Sequence, residues 1–274
     1  MFERDENGIL HVVALSGGHD SSALALELQQ REPRPYTYVC TPTGDEAPAM
    51  FAHWLDLGNR LGSKVVPVMA GTLDGLIEKQ NAIPNFKARW CTRILKIEPF
   101  IKWLHDQLKD GPVVAYVGLR ADEPTRVGGV YGQVGEIEIR CPLREWGYGE
   151  DEVQASLRKF GVVCPDRTDC LKCYHQRIGE WWECWKYHPE VLDDAISQER
   201  ATGNTFRTPK LDEYGNPVMV TRMGLTYAAC WRDSWPVRLE DMRTLFEMGH
   251  SPAVSLARME RERMNAGGCR VCAM

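Results

Sequence analysis

Six consecutive residues near the start of the chain have the types and spacing of a phosphate-binding turn. They are Ser16, Gly17, Gly18, His19, Asp20 and Ser21. An apolar, β-branched run precedes them and a helical pattern follows. In such a unit, glycines let the backbone approach an anion, while N–H groups and the helix dipole attract negative charge. The alternative is a plain Gly-Gly turn with an Asp or Ser helix cap and no ligand.

A second polar loop, Thr43 to Glu46, follows another apolar run. In a parallel sheet it would lie at the same edge as the Ser16 turn. Carboxylates there suit Mg²⁺ on phosphates or a ribose hydroxyl, so Gly44 and Glu46 are predicted to contact the cofactor. The alternative is a capped loop before a helix.

A third polar loop runs from Gly118 to Arg126 and is expected at that edge as well. Its arginines, Arg120 and Arg126, suit bidentate recognition of phosphate or sulfate. The placement after a strand favours a role at the nucleotide over a solvated charged loop.

Cys91 precedes a predicted helix and has Arg89, Arg93 and Lys96 close in sequence. A helix N-terminus and nearby cations both favour the thiolate. Cys91 is therefore the candidate reactive sulfur, and an inert thiol at a helix start is the alternative.

Two CxxC pairs have the spacing of metal ligands. They are Cys170 with Cys173, and Cys269 with Cys272. Four thiolates suit Zn²⁺ or a [4Fe–4S] cluster, with Cys164 and Cys184 as substitute ligands. The alternative is a redox-active CxxC without metal.

The elements that would position these residues alternate between strand and helix. Strands are predicted at 11–15, 36–40, 64–68 and 113–117, with helices at 22–28, 47–61 and 94–108. This order predicts an α/β fold with a parallel sheet covered by helices on both faces.

From about residue 163 the pattern becomes mainly helical. Helices are predicted at 180–198, 238–247 and 252–264, around a turn-rich stretch at 205–217. We therefore expect a nucleotide-binding domain over 1–162 and a helical, cysteine-bearing region over 163–274.

Composition narrows the class of protein. The 274 residues carry a net charge of −5 and ten cysteines, without an apolar run long enough for a membrane span or a signal-like start. We expect a cytoplasmic protein without a membrane partner, in which the cysteines are not a disulfide framework.

These motifs together resemble a known family. The string SGGHDS resembles the SGGxDS loop of PP-loop ATP pyrophosphatases, and with TGDE, CTRILKIEPF and GLRADEPTR it resembles the phosphoadenosine phosphosulfate (PAPS) reductase-like group, phage or prophage type. The resemblance implies a Rossmann-like fold of the PP-loop/HUP type that binds ATP, or PAPS or adenosine phosphosulfate (APS), with Mg²⁺. His19 departs from the lysine that many members carry.

The resemblance implies a reaction as well. The reductases' Glu-Cys-Gly-Leu-His string does not occur here, which favours ATP-dependent adenylation of an acceptor followed by sulfur transfer. Asp20 would orient the loop or the metal, Arg120 and Arg126 would neutralise charge, and Cys91 or a cluster would handle sulfur. The identity of the acceptor stays open between a tRNA, a DNA and a small molecule, and a thiol or sulfur donor protein is a further expected partner.

Two alternatives remain open. One is reduction of PAPS or APS to sulfite with a thiol donor. The other is a non-catalytic nucleotide sensor or nucleic-acid-binding phage protein, which would bind a nucleotide without turning it over.

Overall fold

The structure is a computed structural model that describes residues 2–86, 88–126 and 135–264, with side chains described as far as 261. The described residues form two compact units. One comprises 2–71 and 92–169, and the other comprises 72–91 and 170–264. Segment 72–91 thus interrupts the first unit in sequence and belongs to the second.

A five-stranded sheet lies at the centre of the first unit. Its strands are β1 (Leu10–Ala14), β2 (Tyr36–Cys40), β3 (Val66–Pro67), β4 (Val113–Tyr116) and β5 (Glu138–Arg140). All neighbours are parallel, in the order β3-β2-β1-β4-β5. The chain builds outward from β1 in one direction and from β4 in the other. The topological switch point therefore lies between β1 and β4, where ligands bind in folds of this class.

Each central strand is buried on both faces, as its near-continuous apolar sequence predicts. Val13 and Tyr38 pack into one apolar cluster, whereas Val12 and Val39 pack into the cluster on the opposite face. The alternation follows from the two-residue period of a strand.

Helices cover both faces of this sheet. Those of the first unit are α1 (His19–Arg31), α2 (Pro48–Arg60), α5 (Glu98–Leu108), α6 (Pro142–Glu145) and α7 (Glu150–Phe160). Leu24 of α1 and Leu157 of α7 share the first apolar cluster, and Phe100 and Leu104 of α5 belong to the second. The α/β fold with helices on both faces is confirmed.

The helix before β4 starts earlier than predicted. It runs through α4 (Trp90–Thr92), a π-helical turn (Arg93–Ile97) and α5, so Cys91 lies inside its first turn.

The second unit is mainly helical, as expected. It contains α3 (Leu73–Gln80), α8 (Ile178–Tyr187), α9 (Pro189–Thr202), α10 (Leu239–Glu247) and α11 (Ala253–Met264). Trp181 is fully buried and packs on Phe206, whereas Trp185 contacts Phe246. These tryptophans form core contacts.

Two features of this unit correct the sequence predictions. The single helix expected over 180–198 is broken at His188, because Pro189 disfavours helical geometry in the residue before it. A hairpin of β6 (Met219–Arg222) and β7 (Leu225–Ala228) was missed. Its turn places Met223 and Gly224 at positive φ, and Met-Gly lacks the strong hairpin signal of Asn-Gly.

Among the described helices, none combines the length and the apolar character needed to cross a membrane.

Candidate functional site

The turn after β1 is closed by its own serines. Ser21 Oγ accepts a hydrogen bond from the Gly17 N–H (3.1 Å) and donates to the Gly18 carbonyl (3.1 Å). It also lies 2.9 Å from Ser16 Oγ. The Gly17 N–H and the Ser21 hydroxyl are therefore engaged within the turn. From the sequence we expected such N–H groups to point at an anion.

Gly17 has two physical reasons to be glycine. Its φ is +84°, in the left-handed region. A Cβ there would also lie 2.5 Å from Met50 Cε and 2.7 Å from Trp54 Nε1. Met50 and Trp54 of α2 therefore pack against the turn so closely that position 17 has no space for a side chain.

The first turn of α1 supplies the remaining donors. Gly18 occupies the cap position without a side-chain cap, and the first helical hydrogen bond runs from Ser22 N to Gly18 O. The N–H groups of His19, Asp20 and Ser21 precede that bond, so the helix provides no acceptor for them. Such a helix start favours an anion.

His19 is neutral at physiological pH. Burial, with a smaller contribution from nearby His53, lowers the pKa of His19 to about 4. Its Nδ1 is buried and has no hydrogen-bond partner among the described residues. Burial also lowers the pKa of His53, whose Nε2 lies 3.2 Å from Ser22 Oγ. Position 19 of the turn therefore carries no permanent positive charge.

Asp20 meets the arginines of the loop after β4. Arg120 Nη1 lies 3.2 Å from Asp20 Oδ1, and Arg126 Nη1 lies 3.9 Å from Asp20 Oδ2. Burial raises the pKa of Asp20, although the charge of Arg120 opposes the shift. Burial alone would lower the pKa of Arg120, but its hydrogen bond with Asp122 and the charge of Asp20 raise it.

Gly118 allows the two loops to approach. A Cβ on Gly118 would lie 3.1 Å from the carbonyl carbon of Asp20 and 3.1 Å from the amide nitrogen of Ser21. The end of β4 thus packs directly against the first turn of α1. The structure brings together both loops that flank the topological switch point.

The loop after β2 is closed by hydrogen bonds to the carboxylate of its own residue Glu46. The Glu46 carboxylate accepts hydrogen bonds from Thr43 N (2.8 and 3.0 Å), Thr43 Oγ1 (2.8 Å) and Gly44 N (3.0 Å). This is the capped-loop arrangement that the sequence analysis held as the alternative. Both Glu46 oxygens are engaged, which does not suit a direct Mg²⁺ ligand.

Most of the described cysteine candidates lie in the second unit, as does the substitute ligand Cys184, whereas the substitute Cys164 belongs to the first unit. Cys91 belongs to the second unit, together with Cys170 and Cys173. The Cys173 N–H donates to the Cys170 carbonyl (3.2 Å), and Cys173 Sγ accepts from the His175 N–H (3.5 Å). Cys269 and Cys272 lie outside the described residues. Within the described ranges, no three His, Cys, Asp or Glu side chains form a group that could hold a metal ion.

Two side chains that support the loops after β1 and β4 were not predicted from the sequence. Trp54 comes from α2, and its buried Nε1 has no hydrogen-bond partner among the described residues. Arg144 comes from α6 and binds the backbone of the loop after β4. Neither lies in a motif, so no local signal distinguishes them from other helix residues.

Comparisons with known proteins find distant relatives. No model of a known protein family matches the chain. An uncharacterised nin region protein of Escherichia phage lambda is 27% identical over an alignment of 218 residues, and the match covers 62% of this chain and 74% of that protein. An uncharacterised protein of Methanocaldococcus jannaschii is 25% identical over 196 residues. That match covers 64% of this chain and 40% of the archaeal protein, so the chain spans less than half of its length.

Among solved structures, a PAPS reductase from Candida auris in complex with phosphate superposes with a TM-score of 0.43. It is 12% identical, and the superposition covers 57% of this chain and 74% of that chain. The α/β class of this protein rests on its own strand order.

Proposed function

We propose that this protein binds the phosphates of an adenine nucleotide at the carboxyl ends of β1 and β4. One observation carries the proposal: the helix start after β1 and the arginines after β4 meet at the topological switch point. Backbone N–H groups of α1 would hold the β and γ phosphates, and Arg120 and Arg126 would bind their oxygens. The adenine specificity is taken from the resemblance of the loop to PP-loop enzymes.

The reaction that suits this site is ATP-dependent adenylation. An acceptor oxygen attacks the α-phosphorus, the bond to the bridging oxygen breaks, and pyrophosphate leaves with the electron pair. A sulfur nucleophile then attacks the acceptor atom that is bonded to the adenylated oxygen. The bond between that atom and the oxygen breaks, and AMP leaves with the oxygen and the electron pair. Arg120 and Arg126 would neutralise the charge that develops on the leaving pyrophosphate.

Mg²⁺ would come with the nucleotide in this proposal. Asp20 is held by Arg120, and Glu46 by its own loop. The phosphates and water therefore supply its ligands, as is common for this ion. Its chemistry would be to screen phosphate charge.

Turnover and binding assays separate this function from the alternatives. Calorimetry with ATP and with pyrophosphate measures binding, and AMP and pyrophosphate release is measured with tRNA, DNA and small-molecule acceptors, each with a thiol or persulfide donor. Release of both products supports adenylation. Sulfite from PAPS or APS with thioredoxin would establish reduction, and tight binding without any product would establish a nucleotide sensor. Absence of ATP and pyrophosphate binding would overturn the proposal.

A sulfur-handling centre is the second part of the proposal. Cys170 and Cys173 form a hydrogen-bonded turn, and the His175 N–H donated to Cys173 Sγ is a contact that stabilises a thiolate. We assign the remaining ligands to Cys269 and Cys272, which would complete a four-thiolate site for a [4Fe–4S] cluster or Zn²⁺.

Metal analysis tests this centre. Anaerobically purified protein should contain about four irons per chain and a brown chromophore, both lost in Cys170→Ala but kept in Cys230→Ala, which removes a buried thiol. Stoichiometric zinc instead would assign a structural site. A metal-free wild-type protein would contradict the assignment.

A further inference from the structure

The loop that carries Arg120 and Arg126 is fastened by one side chain, that of Arg144. Arg144 Nε donates to the Arg120 carbonyl (3.1 Å), and Nη2 donates to the carbonyls of Glu123 (2.7 Å) and Arg126 (2.6 Å). One guanidinium thus bonds three backbone carbonyls that span the loop. A lysine could not reproduce this, because its single ammonium lacks the planar fork of donors.

Arg144 is itself anchored to the sheet. It lies in α6, which follows β5 after a single residue, and its N–H donates to the Cys141 carbonyl (2.9 Å). The neighbouring Leu143 is completely buried in the core. The position of the guanidinium is therefore set by the packed edge of the sheet.

Two further bonds join the same loop to the segment after α6. The Ala121 N–H donates to the Tyr148 carbonyl (2.8 Å), and the Glu150 N–H at the start of α7 donates to Asp122 Oδ2 (3.0 Å). Asp122 Oδ1 binds Arg120 Nε (2.9 Å). The loop after β4 is thus held from outside as well as by Asp20.

From these contacts we propose that Arg144 is a positioning residue of the phosphate site, which holds the backbone between Arg120 and Arg126 so that both guanidinium groups face Asp20. This inference rests on the proposed function, since it assigns Arg144 the task of presenting the phosphate-binding arginines. Without it, the loop would keep its sequence and charge but lose its conformation.

Hydrogen exchange and ligand binding together test the proposal. Wild type, Arg144→Lys and Arg144→Ala are compared with Arg140→Ala, a matched control in β5. Arg140 forms ion pairs with Glu32 and Glu145 but makes no side-chain contact with the 120–126 backbone among the contacts described. Without nucleotide, both Arg144 variants should exchange the amides of 119–126 at least about tenfold faster, while β1 and β4 stay protected.

The dissociation constants for ATP and pyrophosphate should rise about tenfold or more in Arg144→Ala and less in Arg144→Lys. Arg140→Ala should leave them unchanged even if it lowers the melting temperature equally. Unchanged loop exchange, or equal weakening in Arg140→Ala, would overturn the role of Arg144. Wild-type protein that fails to bind either ligand would instead refute the proposed function. The exchange data would still show whether Arg144 holds the backbone of residues 120–126.

Discussion

Arg120 and Asp20 face each other across the topological switch point, with Nη1 of Arg120 3.2 Å from Oδ1 of Asp20. They follow different strands, β4 and β1, and are a hundred residues apart in sequence. Because Asp20 already binds this guanidinium, a phosphate at the proposed site would share it with a carboxylate. The ion pair therefore fixes the position of Arg120, and the negative charge of Asp20 would lower the affinity of Arg120 for anions.

Removal of Arg120 should weaken phosphate binding directly, because it removes a group that contacts the ligand in the proposed site. A hydrogen bond to a charged group contributes about 1.5–3 kcal/mol, so Arg120→Ala should raise the dissociation constant for pyrophosphate roughly 10–100-fold. Calorimetric titration measures it. Arg158→Ala, at an exposed position on α7, should bind as wild type does. Equal affinities of Arg120→Ala and wild type would exclude a phosphate contact.

Substitution of Gly17 should disrupt the turn through both strain and collision. Gly17→Ala forces a side chain into positive φ and onto Met50 and Trp54, which should abolish detectable nucleotide binding and lower stability by about 1–3 kcal/mol. Gly8→Ala is the control, because Gly8 has a φ of +75° with nothing within 4 Å of its added Cβ. It should suffer the backbone strain alone and retain binding. Similar losses in the two variants would show that the contact with α2 is unimportant.

Phosphate binding should draw a proton onto His19. In the free protein burial lowers its pKa to about 4, so it is neutral at pH 5–6, and an adjacent anion favours the charged form. Calorimetry of pyrophosphate binding at pH 5.5, in buffers of different ionisation enthalpy, should show more proton uptake by wild type than by His19→Gln. His19→Lys should bind more tightly than wild type near neutral pH. Equal uptake by wild type and His19→Gln would place His19 away from the anion.

Glu199 should make the second unit less stable as the pH rises. Its carboxylate accepts hydrogen bonds from Phe206 N (3.0 Å) and Leu239 N (2.9 Å), while burial raises its pKa from 4.5 to about 7. The folded state therefore binds more protons than the unfolded state between those values. The resulting loss of stability from pH 4.5 to 7 is about 3 kcal/mol.

Denaturation as a function of pH measures this effect. Glu199→Gln should lose stability because its NH2 group cannot accept one of the two backbone N–H groups, but its decline between pH 4.5 and 7 should be shallower than that of wild type. Glu190→Gln, at an exposed carboxylate near the start of α9, should keep the wild-type pH dependence. A parallel decline in Glu199→Gln and wild type would mean that Glu199 titrates normally.

Local patterns were sufficient for much of the fold. The strand at 36–40 was predicted with its observed bounds, and the α/β order followed from apolar runs that alternate with helical periodicity. Those signals reside in neighbouring residues. The short strand β5 and the Met223-Gly224 hairpin carry weak local signals, since their pairing depends on partners remote in sequence.

The sequence by itself determined which residues have the chemistry of the site: the glycine–serine turn after β1 and the two arginines after β4. Only the tertiary structure decided how they are arranged, because that depends on contacts between segments far apart in the chain. It placed Trp54 against Gly17 and bound Glu46 to its own loop. It also set the Arg144 guanidinium against three carbonyls of the loop after β4. Periodicity and spacing report on one segment at a time, whereas these contacts arise only when the sheet edge and its helices pack.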